Sequence, residues 1–434
     1  MSRYTKEDIY KIVDEEDVEF IRMQFCDILG KPKNLAITMS QLDKILSNEC
    51  TFSAAPVEGY EECTGLVTLH PDLDTFQIYP WRPQTGKVAR MYCDVYGPDG
   101  KPWPGDPRQV LRRVVRQAKD MGLEFDIRPD QEFFLFHTDE DGRPTTHTHE
   151  YAGYSDVAPL DLAENVRRDI ILTLEEMDFE ILDSHHEIAP AQHEIDIAEG
   201  CADRVADQIM TFRMVVKTIS QKHGLYATFL PKPTAEVNGS AMGLHVICRD
   251  ALGKNLFTGS DQDHMSELGE HFLAGVLSHM RGLTLLTNPI VNSYKRLIPG
   301  FDAPTHISWS DNLSDKKSVI HVIRNGNNTE LFLRNPDGTC NPYLAVAGIL
   351  AAGMDGINRK LVLPEKAKPN QDSDFVGLPE SIKEAIEAYQ ADPMIHDVLG
   401  DLIYRDYLDE KKKEWKEFRS VVTNWEINRY LGIY

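Results

Sequence analysis

The sequence predicts an α+β chain of two units, and three observations carry that expectation. The first hundred residues alternate short strand-like runs with turns. A Gly/Pro-rich stretch over 97–105, Gly97-Pro98-Asp99-Gly100-Lys101-Pro102-Trp103-Pro104-Gly105, then reads as a linker or domain edge. Beyond it, strands mix with longer helices, starting where Asp106 offers an N-cap and Pro107 a first helical residue. The expected units are residues 1–105 and 106–434. A chain of 434 residues is long enough for two or three domains with a substantial core.

Taken in order, the clearest early strands are Phe76-Gln77-Ile78-Tyr79-Pro80-Trp81 and Val88-Ala89-Arg90-Met91-Tyr92-Cys93-Asp94-Val95-Tyr96. The helix after Asp106 places Val110, Leu111, Val114, Val115 and Ala118 on one side. Residues 128–136 read as a strand with a buried apolar end, and 185–196 as a second β-like stretch broken by Pro190. Helices are expected over about 160–178, 201–223, 262–284, 342–358, 380–391 and 395–419. The segment from Pro342 to Gly353 is apolar on nearly all sides, so it belongs in an interior or a subunit contact. Trp425, Tyr430, Leu431, Ile433 and Tyr434 close the chain; they either dock on a neighbouring subunit or pack on their own domain.

Composition narrows the function. Hydrophobic residues make up 41% and charged residues 26%, ordinary for a soluble protein. A formal net charge of -23 repels nucleic acid and anionic membrane surfaces, so neither is expected as a partner. An anion such as ATP binds such a chain only where metal ions or local arginines reverse the sign. Seven scattered cysteines show no CxxC or CxxH spacing, which points to reduced thiols rather than a disulfide or zinc framework. With no apolar leader and no run long enough to span a bilayer, the expected location is cytoplasmic.

The acids carry most of the chemistry. Asp130 and Glu132 lie two apart on a strand and therefore share a face. Glu187 and Glu194 sit in His185-His186-Glu187-Ile188-Ala189-Pro190-Ala191-Gln192-His193-Glu194. Like charges held together are costly unless a cation joins them, and oxygen ligands favour Mg2+, Mn2+ or Ca2+. The alternative is a set of solvated surface acids. Further on, Lys232-Pro233 and Asn238-Gly239-Ser240-Ala241-Met242-Gly243-Leu244-His245 form a small-residue loop where backbone N–H groups can approach an anion. Arg296 precedes a Pro-Gly turn and Asp302, and Arg334 ends an apolar run ahead of Asn341-Pro342-Tyr343. Arginine is the natural bidentate partner of a carboxylate or phosphate, although either residue alone also suits a structural ion pair.

Together these segments resemble glutamine synthetase of the bacterial type I family, nearly end to end. The resemblance rests on Pro71-Asp72-Leu73-Asp74-Thr75, Gly105-Asp106-Pro107-Arg108, Glu132-Phe133-Phe134-Leu135-Phe136, the 185–194 run, Asn238-Gly239-Ser240, the 292–304 segment, Arg334-Asn335-Pro336-Asp337 and Asn341-Pro342-Tyr343. The ending, from Phe418-Arg419 through Trp425-Glu426 to Tyr434, resembles the Gram-positive branch. The resemblance implies a glutamine synthetase fold, with a small N-terminal β-grasp-like domain and a larger C-terminal α/β catalytic domain. It also implies a homo-oligomer, a dodecamer of two stacked hexameric rings with active sites between adjacent subunits. The implied reaction is ATP-dependent: the γ-phosphate of ATP moves to the side-chain carboxylate of glutamate, and ammonia then forms the amide. Two divalent ions, Mg2+ or Mn2+, serve it.

By the same resemblance, Glu132, Glu187 and Glu194 make the first metal site. Asn238, Gly239, Arg296 and Arg334 bind the substrate acid, and Arg296 and Asp302 are catalytic, Asp302 in place of a flap glutamate. Lys232, Ser240, His245 and Arg324 are implied at the nucleotide. Asp130 remains of the second metal site, but the family's histidine is here Gly243 and its second glutamate Phe332. His245 keeps the strand face of that lost histidine but is expected to need to move to replace it. Ser53 stands where an acid deprotonates ammonium, and a serine cannot act as that base at neutral pH. Glu330 stands where a cation is expected near phosphate. Two readings follow: a ligase of this family making glutamine or another amide, or a non-ligating paralogue acting as regulator, sensor or assembly partner.

Overall fold

The computed structural model describes residues 3–260, 264–367 and 375–434. Six strands build the first unit: β1 (Val18–Cys26), β2 (Pro32–Thr38), β3 (Cys50–Ser53), β4 (Leu66–Pro71), β5 (Gln77–Ile78) and β6 (Lys87–Tyr96). Their order is β2-β1-β6-β4-β3, with β5 on β6 and with β1 and β6 parallel. Helices α1 (Lys6–Glu15) and α2 (Leu42–Leu46) belong to the same unit, and α1 starts on a capping box made by Thr5 and Asp8. The Phe76–Trp81 expectation is trimmed to two residues, because a 3-10 turn over Leu73–Thr75 leads directly into it and Pro80 has no N–H to extend the pairing.

The second unit is a nine-stranded sheet. Its strands are β7 (Glu124–His137), β8 (Ile181–His186), β9 (Gln192–Ile197), β10 (Gly200–Cys201), β11 (Leu225–Thr228), β12 (Met242–Arg249), β13 (His306–Ser310), β14 (Ser318–Asn325) and β15 (Asn328–Leu333). The order is β13-β14-β15-β12-β7-β9-β8, with β10 and β11 pairing on β7. Helices α3 (Pro107–Asp120), α4 (Glu164–Glu175), α5 (Ala202–Lys222), α6 (Glu267–Thr287), α7 (Ser293–Arg296) and α8 (Pro342–Arg359) accompany it, followed by α9 (Ile382–Ala391), α10 (Pro393–Leu399), α11 (Asp401–Phe418) and α12 (Asn424–Tyr430). The single helix expected over 395–419 is two, because Gly400 takes φ +78° between α10 and α11. The apolar helix α8 is interior to this chain, packed on α6, α5 and α3.

The C-terminal aromatic and aliphatic groups do not pack on their own domain. Trp425, Tyr430, Leu431, Ile433 and Tyr434 are exposed, and α12 buries no residue. All seven cysteines are free. Among the described residues no helix is long and apolar enough to cross a membrane.

The two units are joined by a buried charge knot. Asp106 caps α3 through the N–H of Arg108 and also accepts from Val95 N on β6, at 3.0 and 2.9 Å. Arg108, almost wholly buried, reaches Asp94 (2.6 Å), Asp72 (2.7 Å) and Asp207 (2.8 Å). Arg112 pairs with Asp72 and Asp94, and Tyr343 at the start of α8 donates to Asp207 at 2.7 Å. Burial alone would raise the Asp72 carboxyl, but the Arg108, Arg204 and Arg112 guanidiniums outweigh it and hold it down at about 2. Substituting Arg108→Met leaves three acids facing one another with only partial compensation. We expect a loss of about 3–5 kcal/mol in urea unfolding, against less than ~1 kcal/mol for exposed Arg143→Met.

Candidate functional site

The cleft is built on one side of four neighbouring strands, β15, β12, β7 and β9. On β7 the alternation exposes Arg128, Asp130 and Glu132 while Ile127, Gln131 and Phe133 point into the core. Strand β9 runs antiparallel to β7, with Glu132 opposite Glu194 and Asp130 opposite Asp196. On the other side of β7, Gly243 lies opposite Asp130 and His245 opposite Arg128. His245 is in turn opposite Phe332 of β15. These residues line a cavity of about 610 Å3, with Glu187, His185 and Gln192 beside the acids and Asn238, Gly239, Arg296, Asp302, Lys316 and Arg334 around the rest of its wall.

The acid end is a ladder of directly opposed like charges. Two unit charges about 4 Å apart repel by about 4 kcal/mol at an effective dielectric of ~20, so two such rungs side by side are expensive. Glu132 accepts from Gln192 Nε2 (2.6 Å) and from Ala241 N (3.0 Å), and Glu187 from Ile188 N (2.9 Å). His185 pairs with two of these acids, 3.1 Å from Glu187 and 3.6 Å from Glu194. Burial, then the neighbouring Glu187 charge, push the Glu132 carboxyl up to about 8. Burial and Asp130 push Asp196 up to about 7, and Glu194 is raised by burial and by Glu132. The set His185, Glu187 and Glu194 and the set Asp130, Glu194 and Asp196 each bring their ligand atoms within 4.8 Å of one another. Of the residues implied for the first metal site, Glu187 and Glu194 stand in the first set and Glu132 lies opposite Glu194, and carboxylate oxygens of this kind fit a hard divalent ion.

A buried network fixes the wall from behind. Glu150 pairs with His186 Nε2 (2.6 Å) and accepts from Ala191 N (2.9 Å), anchoring the turn between β8 and β9. Arg167 pairs with Asp161 (2.7 Å) and meets His193 Nδ1 at 2.9 Å.

The opposite end of the same face has another character. His245 Nε2 is 2.8 Å from Asp130, and its Nδ1 is 3.4 Å from Glu330. Arg128 Nη2 lies 2.8 Å from His245 Nδ1 and 3.4 Å from Glu330. The Phe332 ring stacks on His245, centroids 4.1 Å apart at 16°. It also covers Gly243: a Cβ there would lie 2.4 Å from a ring carbon. The two substitutions are thus sterically coupled, and their side chains offer no metal ligand. His245 contacts Asp130 from its own strand position.

Arg296 and Arg334 sit where they are held rigidly. Arg296 is buried and its guanidinium donates to the carbonyls of Asn335 and Pro336 (3.3 Å to the latter). Arg334 donates to the carbonyls of Lys316 (3.0 Å) and Ser318 (3.2 Å) and to the Asp302 carboxylate (2.7 Å). Asp302 also pairs with Lys316 at 3.2 Å, and its N–H faces Asn238 Oδ1 at 3.4 Å. Gly239 is required by close approach, since a Cβ would meet the Pro231 carbonyl at 2.0 Å.

Comparison with known proteins follows the same lines. Residues 17–98 match the family model "Glutamine synthetase, beta-Grasp domain", and residues 104–430 match "Glutamine synthetase, catalytic domain". The chain belongs to the glutamine synthetase family. It is 46% identical over 449 residues to the glutamine synthetase of Clostridium saccharobutylicum, covering 100% of both chains. To that of Staphylococcus aureus strain Mu50 it is 44% identical over 445 residues, covering 99% of both. These full-length matches put it in the bacterial type I branch of glutamine synthetase. A solved GmaS/ADP complex superposes with TM-score 0.89 at 28% identity, covering 98% of this chain and 99% of that one. A Plasmodium falciparum glutamine synthetase shares the fold at 19% identity and TM-score 0.86, with 99% of each chain covered.

Within this glutamine synthetase scaffold, Asp130, Glu132, Glu187, Glu194, Asn238, Gly239, His245, Arg296, Asp302 and Arg334 all line the one cleft. Three residues implied at a nucleotide do not. Lys232 is buried, donates to the Val237 carbonyl and stacks 3.3 Å from the Phe301 ring centroid, so it stiffens the loop instead. Ser240 is fully buried, its N–H bonded to the Pro231 carbonyl at 2.9 Å. Arg324 points to Asp311, 3.6 Å away, while its neighbour Ile323 faces the cleft. Ser53 ends β3 on the surface of the first unit and does not line the cleft of its own chain. Sequence reasoning missed Asp196 and Arg128, although each lies two residues from a named acid on the same strand and thus on the same face.

A pH consequence follows from the acid wall. Glu132, at about 8 against an ordinary 4.5, binds its proton in the folded chain after the unfolded chain has lost it. Without divalent ions, stability therefore falls as pH rises through that window. Mn2+ or Mg2+ should abolish the fall by neutralising the carboxylates. Melting temperatures across the window, in chelator and in Mn2+, check this; parallel curves would contradict it.

Proposed function

We propose that this chain is an ATP-dependent carboxylate–amine ligase that forms an amide from glutamate, or a similar small acid, and ammonia or an amine. The observation that supports this most is the juxtaposition, in one cleft, of the oxygen-rich wall of Glu132, Glu187 and Glu194 with the fixed guanidiniums of Arg296 and Arg334. That ADP accompanies the similar GmaS structure supports a nucleotide in the same scaffold.

When bound, Mg2+ or Mn2+ at Glu132, Glu187 and Glu194 supplies positive charge that offsets the negative charge of the acid and its activated form. The chain's own residues do the positioning. Arg334 has its fork held by backbone carbonyls, so a substrate carboxylate that takes it must displace Asp302. Displaced, Asp302 remains tied to Lys316 on the exposed side of the cleft and is free to face the incoming amine. Asn238 and Gly239 close the backbone side, and the Gly239 carbonyl is tied to the wall through Gln192 at 3.1 Å. Assembly into the two-ring oligomer of the family is part of this proposal, supported by the exposed C-terminal Trp425, Tyr430, Leu431, Ile433 and Tyr434.

The test is phosphate release and amide formation by the purified chain with glutamate, ATP and Mg2+ or Mn2+, using ammonia and then a series of primary amines. Product with ammonia supports glutamine formation, and product with a larger amine alone shifts the proposal to another amide. No release with any amine removes the ligase reading. Arg334→Lys should raise KM for the acid about tenfold or more, because a lysine cannot make the bidentate contact.

One observation favours the second reading, a paralogue that binds a small acid without ligating it: Phe332 packs on Gly243 where a nucleotide-side ligand is implied. Calorimetry separates the two. The second reading expects glutamate binding with no Mg·ATP binding.

A further inference from the structure

Charge balance along the cleft differs sharply between its two ends. At the Asp130 end, two acids, Asp130 and Glu330, face the Arg128 guanidinium and the His245 ring, which themselves meet at 2.8 Å. Each acid is in contact with His245, at 2.8 and 3.4 Å, and Glu330 with Arg128 at 3.4 Å. At the other end Glu132, Glu187, Glu194 and Asp196 face His185 alone among the described basic residues that pair with them.

The Asp130 end is also closed sterically. The Phe332 ring lies flat on His245 and over the Gly243 backbone, leaving no space for a side chain at Gly243 and presenting only carbon. A histidine introduced at Gly243 alone would collide with the ring, and an acid at Phe332 alone would add a third carboxylate beside Asp130 and Glu330. Neither single change restores a ligand set. The pair Gly243 and Phe332 therefore acts as a lock that needs two simultaneous changes to open.

We infer that this chain holds one divalent cation, at the Glu132, Glu187 and Glu194 end, and that the Arg128 guanidinium serves as a protein-borne cation where a second ion is implied. This deepens the proposed function and rests on its first metal site. Arg128 then offsets part of the acid charge at the nucleotide end without metal, and any phosphate reaching it meets the guanidinium directly rather than a metal ion. Arg128 has the capacity for this, since it lines the cavity.

The experiment is Mn2+ binding to the full-length protein, by calorimetry for stoichiometry and by electron paramagnetic resonance for the environment of the ion. The expected result is one ion per chain with the spectrum of an isolated Mn2+. The ion should persist in Asp130→Asn and disappear in the Glu187→Gln/Glu194→Gln variant. The Gly243→His/Phe332→Glu variant should take up a second ion and show a spin-coupled pair. Two ions per wild-type chain, or a single ion lost in Asp130→Asn but kept in Glu187→Gln/Glu194→Gln, would overturn the inference while leaving the ligase proposal standing. No ion at all in the wild-type chain would overturn the first metal site, and the inference with it. A circular dichroism spectrum of each variant distinguishes loss of the ion from loss of the fold.

Discussion

The repulsion between carboxylates on β7 and β9 is the constraint on which the rest of the site depends. Opposing Glu132 to Glu194 and Asp130 to Asp196 on adjacent strands is a register that a sheet avoids unless something offsets the charge. The register itself is not free to slip. A one-residue shift would bury every acid and expose the apolar face that includes Ile127, Phe133 and Ile195. Hydrophobic burial thus holds the acids together, and the acids in turn demand a cation. The two ends of the face differ in what meets that demand: the Arg128 guanidinium lies at one, and His185 beside Glu187 and Glu194 at the other.

The scaffold that holds this register is itself tied by buried charge. Three of the segments that carry the family resemblance, around Asp72, Asp106-Pro107-Arg108 and Asn341-Pro342-Tyr343, meet at one place. Arg108 takes Asp72, Asp94 and Asp207, and Tyr343 completes the coordination of Asp207. Asn341 caps α8 and also donates to the carbonyls of Asp27 and Ile28 in the first unit, both at 3.2 Å. These motifs are spread over the chain because the contact they make joins the two sheets. They position the cleft without touching it.

Much of this was legible in the sequence, for physical reasons that can be named. Helices α5, α6 and α8 read clearly because their apolar periods are long and their ends carry recognisable signals, such as Asn341 followed by Pro342. Asp130 and Glu132 were placed on one face by strand periodicity alone. The same alternation puts Arg128 and Asp196 on the cleft face, two residues from Asp130 and Glu194. What no linear reading shows is the approach of distant strands. Lys232 and Arg324 look like phosphate ligands by position, yet a local partner claims each: the Phe301 ring for Lys232 and Asp311 for Arg324. The break at Gly400 was also invisible, because the helical pattern continues on both sides and only the positive φ interrupts it. The coupling of Gly243 to Phe332 needs β12 and β15 side by side, 89 residues apart in sequence by their numbers.

The account's central claim is the location of a cation on this face, and crystals grown with Mn2+ test it most directly through the metal's anomalous scattering. The account predicts an anomalous peak bounded by Glu132, Glu187 and Glu194, with none between Asp130, Gly243 and Phe332. A peak beside Phe332, or featureless solvent at the three glutamates, would contradict it.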